Sequence, residues 1–282
     1  LNVMGNLQQL GRSLMMPTIV IPVAAILIRL GTLPWADVGM DEVGNILYFA
    51  GQTVFTYLPF IFAVGVALGL TENSGVAALS AMFSYFLFVQ VTEKYIGPDF
   101  QFGISGAIVI GIITAIAFHK LKNVKLPEYI QFFGGSRLVP LFMGLLTILL
   151  SLLAVQIGPY LQNALNQAGE FLYGMKGFGV FVYGVAYRLL VPSGLHHLLN
   201  NVYWFQLGSF ERPDGTYVFG DLPRFFAGDP TAGIYMAGLY PIMMFALPAS
   251  ALAIIQEARE DLKPKIKKTF LIAALACFLT GV

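Results

Sequence analysis

Charge is what this sequence has least of. Of its 282 residues, 11% are Asp, Glu, Lys or Arg and 57% are hydrophobic. Soluble domains average about 25% charged residues, and the mean hydropathy here is +0.75. That scarcity excludes an ordinary soluble domain and points to the membrane class. The few charges nearly cancel, at net +1, so nothing favours nucleic acid as a partner. Cysteine is almost absent. Cys277 alone excludes an internal disulfide and any Cys-x-x-Cys metal or redox pair. It lies in an apolar run without a basic neighbour and reads as a packing residue. No Gly-x-x-x-x-Gly-Lys-Ser/Thr run exists to hold ATP, and no His-Glu-x-x-His to hold zinc. No metal and no cofactor are implied. Carboxylates are nearly missing from the apolar runs, which disfavours a proton-coupled carrier. No cleavable signal is evident at the start.

What is present is a series of apolar runs. A helix needs about 20 mainly apolar residues to cross a bilayer. Candidate spans are residues 14–33, 54–70, 76–91, 104–118, 138–157, 178–191, 234–255 and 269–282. The expected fold class is therefore an all-α polytopic membrane protein, a multi-helix bundle surrounded by lipid. Pro17 and Pro22 should bend the first span, or Pro17 serves as an early helical residue. Residues 5–13 form a short amphipathic stretch, either a surface helix with Arg12 among headgroups or the polar start of the first span. Gly65 and Gly69 fit a close helix crossing. The sequence begins with Leu1 and stops at Val282 inside an apolar run. Both ends suggest a piece of a longer protein.

Lys and Arg set the expected orientation. With the N-terminus inside, Arg12, Lys120, Lys122, Lys125 and Arg137 fall on the inner side, and so does the run Lys263, Lys265, Lys267 and Lys268. The N-terminus is expected to be cytoplasmic. His119, beside Lys120, should be interfacial. Pro127, the aromatic run after it and Gly134-Gly135 suggest a short interfacial helix. Residues 158–177 are amphipathic, either a surface helix or the polar start of the next span. Pro213-Asp214-Gly215 reads as a turn, with a small hairpin around residues 216–219. Asp229-Pro230-Thr231 is a second turn, placed to cap a following helix.

One stretch breaks the apolar pattern. Arg188 to Gln206 reads Arg-Leu-Leu-Val-Pro-Ser-Gly-Leu-His-His-Leu-Leu-Asn-Asn-Val-Tyr-Trp-Phe-Gln. The helix should stop at Pro192 or Gly194. Two histidines, two asparagines and an indole follow. Polar clusters at membrane depth belong in a cavity or inside protein. His196 and Asn200 share one helical face, His197 and Asn201 the next. These groups suit a polyol, but histidines bonded to backbone in a packed bundle are an equal alternative. Trp204 suits either a sugar ring or an interfacial anchor, and Arg188 either an anion or the headgroups.

These residues carry a resemblance. Arg188-Leu-Leu-Val-Pro-Ser-Gly-Leu-His-His, Trp204-Phe-Gln and the run Gly220-Asp-Leu-Pro-Arg-Phe-Phe-Ala-Gly-Asp-Pro-Thr-Ala-Gly233 resemble the membrane enzyme IIC component of the bacterial sugar phosphotransferase system. The likeness is to the glucose/N-acetylglucosamine family and runs along nearly the whole chain. Trp204-Phe-Gln and Pro241-Ile-Met-Met-Phe245 look more like N-acetylglucosamine members than glucose members.

The resemblance implies a homodimer in the bacterial cytoplasmic membrane. It implies an N-terminal scaffold at residues 1–157 and an incomplete C-terminal sugar-transport domain with broken helices at 158–282. It implies a sugar substrate that is carried inward and phosphorylated at its 6-hydroxyl. The donor would be a phosphocysteine on an enzyme IIB domain, fused or separate. By the same likeness His196 lies at the sugar, as catalytic base or as positioning group, and Arg188 faces the phosphoryl group or IIB. Asn200 would bind another hydroxyl. The family's Gly-Ile-Thr-Glu-Pro glutamate would begin where the sequence stops. That carboxylate and the IIB cysteine are expected outside it. A carrier that releases unmodified sugar, or an inactive piece of a permease, is the alternative.

Overall fold

The computed structural model describes residues 3–97, 102–191, 196–213 and 215–280. They are mostly helical, with one two-stranded hairpin. Among the described residues, five helices are long and apolar enough to cross a membrane, or six if one bent pair counts as a span.

The first span, Gln8–Gly31, is built from α1 (Val3–Thr18) and α2 (Val20–Gly31). The polar residues 5–13 are simply its start. Pro22 has no N–H to bond the Thr18 carbonyl, and the two helices part at Ile19. Its own N–H bonds Met16 O at 3.3 Å. Pro17 therefore sits late in α1, not early, and is fully buried. The expected span 54–70 straddles a break: α3 (Asp41–Thr56) and α4 (Leu58–Leu70) meet at 50°. Pro59 cannot donate to Phe55, which leaves a gap in the hydrogen-bond ladder at that corner. Two spans follow, α5 (Gly75–Ile96) and α6 (Gly103–Leu121). The loop after α6 contains a short 3-10 turn, Glu128–Phe133, flanked by Pro127 and Gly134. Tyr129 and Phe132 stand exposed on it.

The largest departure from expectation is α7 (Leu138–Gly174). It runs 37 residues through Pro159, so residues 158–174 continue the preceding span. Pro159 removes one backbone bond, and the helix runs on through Gly158-Pro159 without a break. The drop in hydropathy after residue 157 marks a change of surroundings, not the end of the helix. The expected division at 157/158 falls inside α7.

The next helix, α8 (Gly177–Leu190), has 14 residues. At about 1.5 Å per residue this is too short for a bilayer core. The expected stop at Pro192 or Gly194 lies outside the described residues. Then come α9 (His196–Phe205), the hairpin of β1 (Ser209–Glu211) and β2 (Tyr217–Phe219), and α10 (Asp221–Phe226). The strands pair antiparallel, Phe210 opposite Val218. The last two helical stretches are α11 (Ile234–Glu257) and α12 (Lys263–Thr280). Pro241 and Pro248 flank a π-helical stretch, Ile242–Ala246, inside α11. The expected span 269–282 starts earlier, because Lys263, Lys265, Lys267 and Lys268 lie within α12. Four of the first six residues of α12 are lysines.

The N-terminal helices pack on small residues. A β-carbon on Gly65 would overlap the Pro17 ring, and one on Gly69 would overlap Ser13. The close crossing expected of Gly65 and Gly69 is thus made between α1 and α4. Gly111 gives α6 the same closeness to Ala63 and Val66 of α4, and Gly51 brings α3 onto Ala24 and Ile28 of α2. Leu14, Phe62, Val66, Tyr85, Ile108 and Ala154 belong to the resulting core. In lipid, close packing has to supply what water supplies to a soluble core. His119 is not merely interfacial: its Nε2 lies 2.8 Å from the Leu70 carbonyl at the end of α4.

Candidate functional site

The α9 cluster is held against α8. Tyr183 and Tyr187 stand one turn apart on α8 and are buried. They meet the face of α9 that carries His196 and Asn200, so the expected shared face exists. Tyr187 packs edge-on to His196, with ring centroids 5.2 Å apart. The Tyr183 hydroxyl donates to Asn200 Oδ1 at 2.8 Å. His197 lies beside His196, centroids 4.0 Å apart. Asn201, on the neighbouring face, is also buried.

Several buried polar atoms here have no hydrogen-bond partner among the described residues: His196 Nδ1, Asn201 Nδ2, Trp204 Nε1 and the Tyr235 hydroxyl. Each such group costs about 1–3 kcal/mol if nothing completes it. Four in one neighbourhood mark a place suited to hydroxyl-bearing ligands or water. Burial lowers the pKa of His196. Burial, and then the neighbouring His196, bring His197 down to about 4. Both rings are therefore neutral at pH 7, and each offers one donor and one acceptor. That chemistry fits hydroxyls better than anions. Among the described residues no group of three or more His, Cys, Asp or Glu is placed to hold a metal.

Arg188 is not brought onto this face. It is exposed, with its guanidinium 5.8 Å from the centre of the Tyr187 ring. Tyr187 touches both Arg188 and His196, so the two are neighbours through one aromatic ring. Trp204 lines a cavity of about 400 Å³ together with Pro22, Arg29, Tyr187, Met236 and Tyr240. Gln206 at the end of α9 donates to Ser105 Oγ at 2.7 Å, which ties the cluster to α6.

The acidic loop beyond the hairpin supports the site from outside. Asp221 is fully buried. It accepts the Tyr173 hydroxyl at 2.7 Å, Gly233 N at 2.9 Å and Tyr235 N at 3.1 Å. It thereby satisfies the first backbone donors of α11. The sequence placed Asp229 in that capping role. Asp229 instead turns on itself, accepting Thr231 N and Oγ1 at 2.8 and 2.7 Å, and pairs with Arg224 at 2.7 Å. Burial alone would raise the Asp229 pKa, but the Thr231 and Arg224 bonds outweigh it and hold the carboxyl below its usual range. The Arg224 guanidinium lies 4.6 Å from the Tyr173 ring centre.

The Asp221 bonds set Tyr235 in place. Its ring meets those of Tyr173, Tyr183 and Tyr203 at centroid distances of 5.2, 5.5 and 5.0 Å. These tyrosines escaped the sequence reading. The four-residue spacing of Tyr183 and Tyr187 was a usable signal; Tyr173 and Tyr235 join them only through the fold.

Comparison with known proteins gives the family. The sequence model described as "Phosphotransferase system, EIIC" matches residues 11–282. The chain is 41% identical over 279 residues to the N-acetylglucosamine-specific EIICB component of Bacillus subtilis, covering 98% of this chain and 59% of that protein. It is 37% identical over 285 residues to the N-acetylglucosamine-specific EIICBA component of Escherichia coli, covering 100% and 43%. It is 39% identical over 289 residues to a glucosamine-specific EIICBA component of Bacillus subtilis, covering 98% and 45%. The chain thus spans about half the length of these relatives. With the family matched from residue 11 to residue 282, the chain belongs to the phosphotransferase system EIIC family of multi-pass membrane proteins.

Proposed function

We propose that the chain carries an amino sugar across the bacterial cytoplasmic membrane for phosphorylation at its 6-hydroxyl. N-acetylglucosamine is the leading substrate, on the names of the 41% and 37% identical relatives. Glucosamine is second, on the 39% identical relative. Glucose, the second choice from sequence, has no named relative among these three. The observation that carries the reading is the α9 cluster: His196 with an unpartnered buried Nδ1, and Asn200 on the same face, in an otherwise apolar bundle.

In this reading His196 and Asn200 hold sugar hydroxyls. The phosphoryl group comes from a IIB domain, whose fusion to IIC is part of the names of the relatives. The membrane chain is then the sugar-positioning half of a transferase, and His196 acts by placing the 6-hydroxyl. Arg188, exposed beside Tyr187, is available to the incoming phosphoryl group or to IIB. Residues 1–157 serve as scaffold and dimer contact and residues 158–282 as the transport part, with α7 running through the division. A cytoplasmic N-terminus follows from the lysine and arginine distribution.

The test uses the full-length protein with phosphorylated IIB in membrane vesicles. Labelled N-acetylglucosamine should accumulate inside as its 6-phosphate, and His196→Ala should lower uptake at least tenfold. Internal sugar that stays unmodified would make the protein a plain carrier. Wild-type uptake by His196→Ala would remove His196 from the site.

A further inference from the structure

We infer that Tyr183 is a positioning residue that fixes the Asn200 amide, so that Nδ2 is turned toward a sugar hydroxyl. The inference rests on the reading of α9 as the sugar site. The Tyr183 hydroxyl is 2.8 Å from Asn200 Oδ1, and both residues are at least nine-tenths buried. A phenol has one proton to give. That proton goes to Asn200, so the bond runs from the Tyr183 O–H to Asn200 Oδ1.

That direction decides which way the amide faces. Were Asn200 flipped, Nδ2 would face the phenol, and the Tyr183 proton would lose its acceptor in a buried setting. With Oδ1 held by Tyr183, both N–H donors of Nδ2 are on the opposite arm of the amide, away from the phenol. Four residues back on the same face, neutral His196 has an unpartnered Nδ1. A hydroxyl both donates and accepts, so one sugar hydroxyl matches an amide N–H and an imidazole nitrogen together. Rings hold the phenol itself in place: Tyr203, Tyr235 and Tyr187 lie 4.6, 5.5 and 6.1 Å from Tyr183. Tyr183 thus sets the donor pattern of the site through Asn200, as a positioning group.

The experiment measures KM and kcat for N-acetylglucosamine phosphorylation by full-length protein with phosphorylated IIB. Tyr183→Phe removes only the hydroxyl and should raise KM about tenfold, with kcat within about twofold, a change of roughly one tenfold step in affinity. Asn200→Ala should raise KM at least as much. The double variant should be no worse than Asn200→Ala, since the first residue acts through the second. Unchanged KM in Tyr183→Phe, or effects that multiply in the double variant, overturns the inference and leaves the sugar-site reading standing. A wild-type KM in Asn200→Ala overturns both. Asn200→Asp is the control should Tyr183→Phe not fold. Its carboxylate still accepts from Tyr183 but cannot donate, so KM should rise as in Asn200→Ala. A normal KM there also overturns the inference.

Discussion

The seams of the N-terminal helices and the tyrosine-lined region around α9 solve the same problem in opposite ways. Along the seams, long helices satisfy their own backbone groups and only need to approach. Gly65, Gly69, Gly111 and Gly51 remove the obstacle, and Pro17, Ser13, Val66 and Ile28 fill the space. Around α9 the elements are short: 14 residues in α8, 10 in α9 and 6 in α10. Every helix end leaves unpaired donors and acceptors, and buried ends have no water to meet them. Side chains do it instead. Asp221 takes two backbone N–H groups of the 233–235 turn and the Tyr173 hydroxyl. Broken helices create both the need for polar side chains and the room for a polar ligand. One region is fixed by shape, the other by bonds.

Removing a buried bond should therefore hurt more than crowding a seam. Arg224→Ala leaves Asp229 buried without its cation, and should destabilise by about 3–5 kcal/mol; detergent-solubilised thermal unfolding reads it, and an unchanged Tm would show that the buried pair does not hold this region together. Asp221→Ala strands three donors, and a cost of at least about 3 kcal/mol is expected. Asp221→Asn should keep part of this, since its amide oxygen still accepts. Gly65→Leu tests the shape side, with an expected cost of about 1–3 kcal/mol from overpacking against Pro17. Its sugar KM should stay near wild type, because α1 and α4 do not carry the candidate site. A KM change as large as that of Asn200→Ala would erase the distinction between the two regions.

The smallest effect is in acid. The folded pKa of Asp229 lies below its unfolded value, so its contribution is complete above the ordinary carboxylate pKa of about 4. It is lost as pH falls through the lower folded value. Stability should be flat from pH 7 to about 5 and fall at lower pH. In Arg224→Met, part of that acid-side fall should disappear, and an identical pH profile would remove Arg224 as a cause of the shift.

The sequence reading was strongest where one element carried the whole signal. His196 and Asn200 fall on one face because they are one turn apart, and apolar length alone marked α5 and α6. It failed where a boundary depended on something outside the segment. Polarity after Ile157 reads as a helix end, yet α7 continues to Gly174, because backbone bonding does not depend on the side chains turning polar. Residues 54–70 read as one apolar run, and only the missing Pro59 N–H shows where it bends. Asp229 and Asp221 are both turn aspartates before a helix. The choice between them was made by Tyr173 and Arg224, which are brought in from elsewhere in the chain. Tyr183 was invisible as part of a polar site because tyrosine in an apolar run reads as packing.

The length of α7 has a mechanical consequence. Ala154 is packed in the N-terminal core, and Tyr173, nineteen residues on, holds Asp221. At about 1.5 Å per residue the arm between them is about 28 Å. A pivot of only about 10° at Ala154 would sweep Tyr173 through about 5 Å, as far as a full helical turn. Asp221 and the 233–235 turn are bonded to that end, and the Tyr235 ring presses on Tyr183. A small tilt at Ala154 would then be delivered, magnified, to the tyrosines that frame His196 and Asn200.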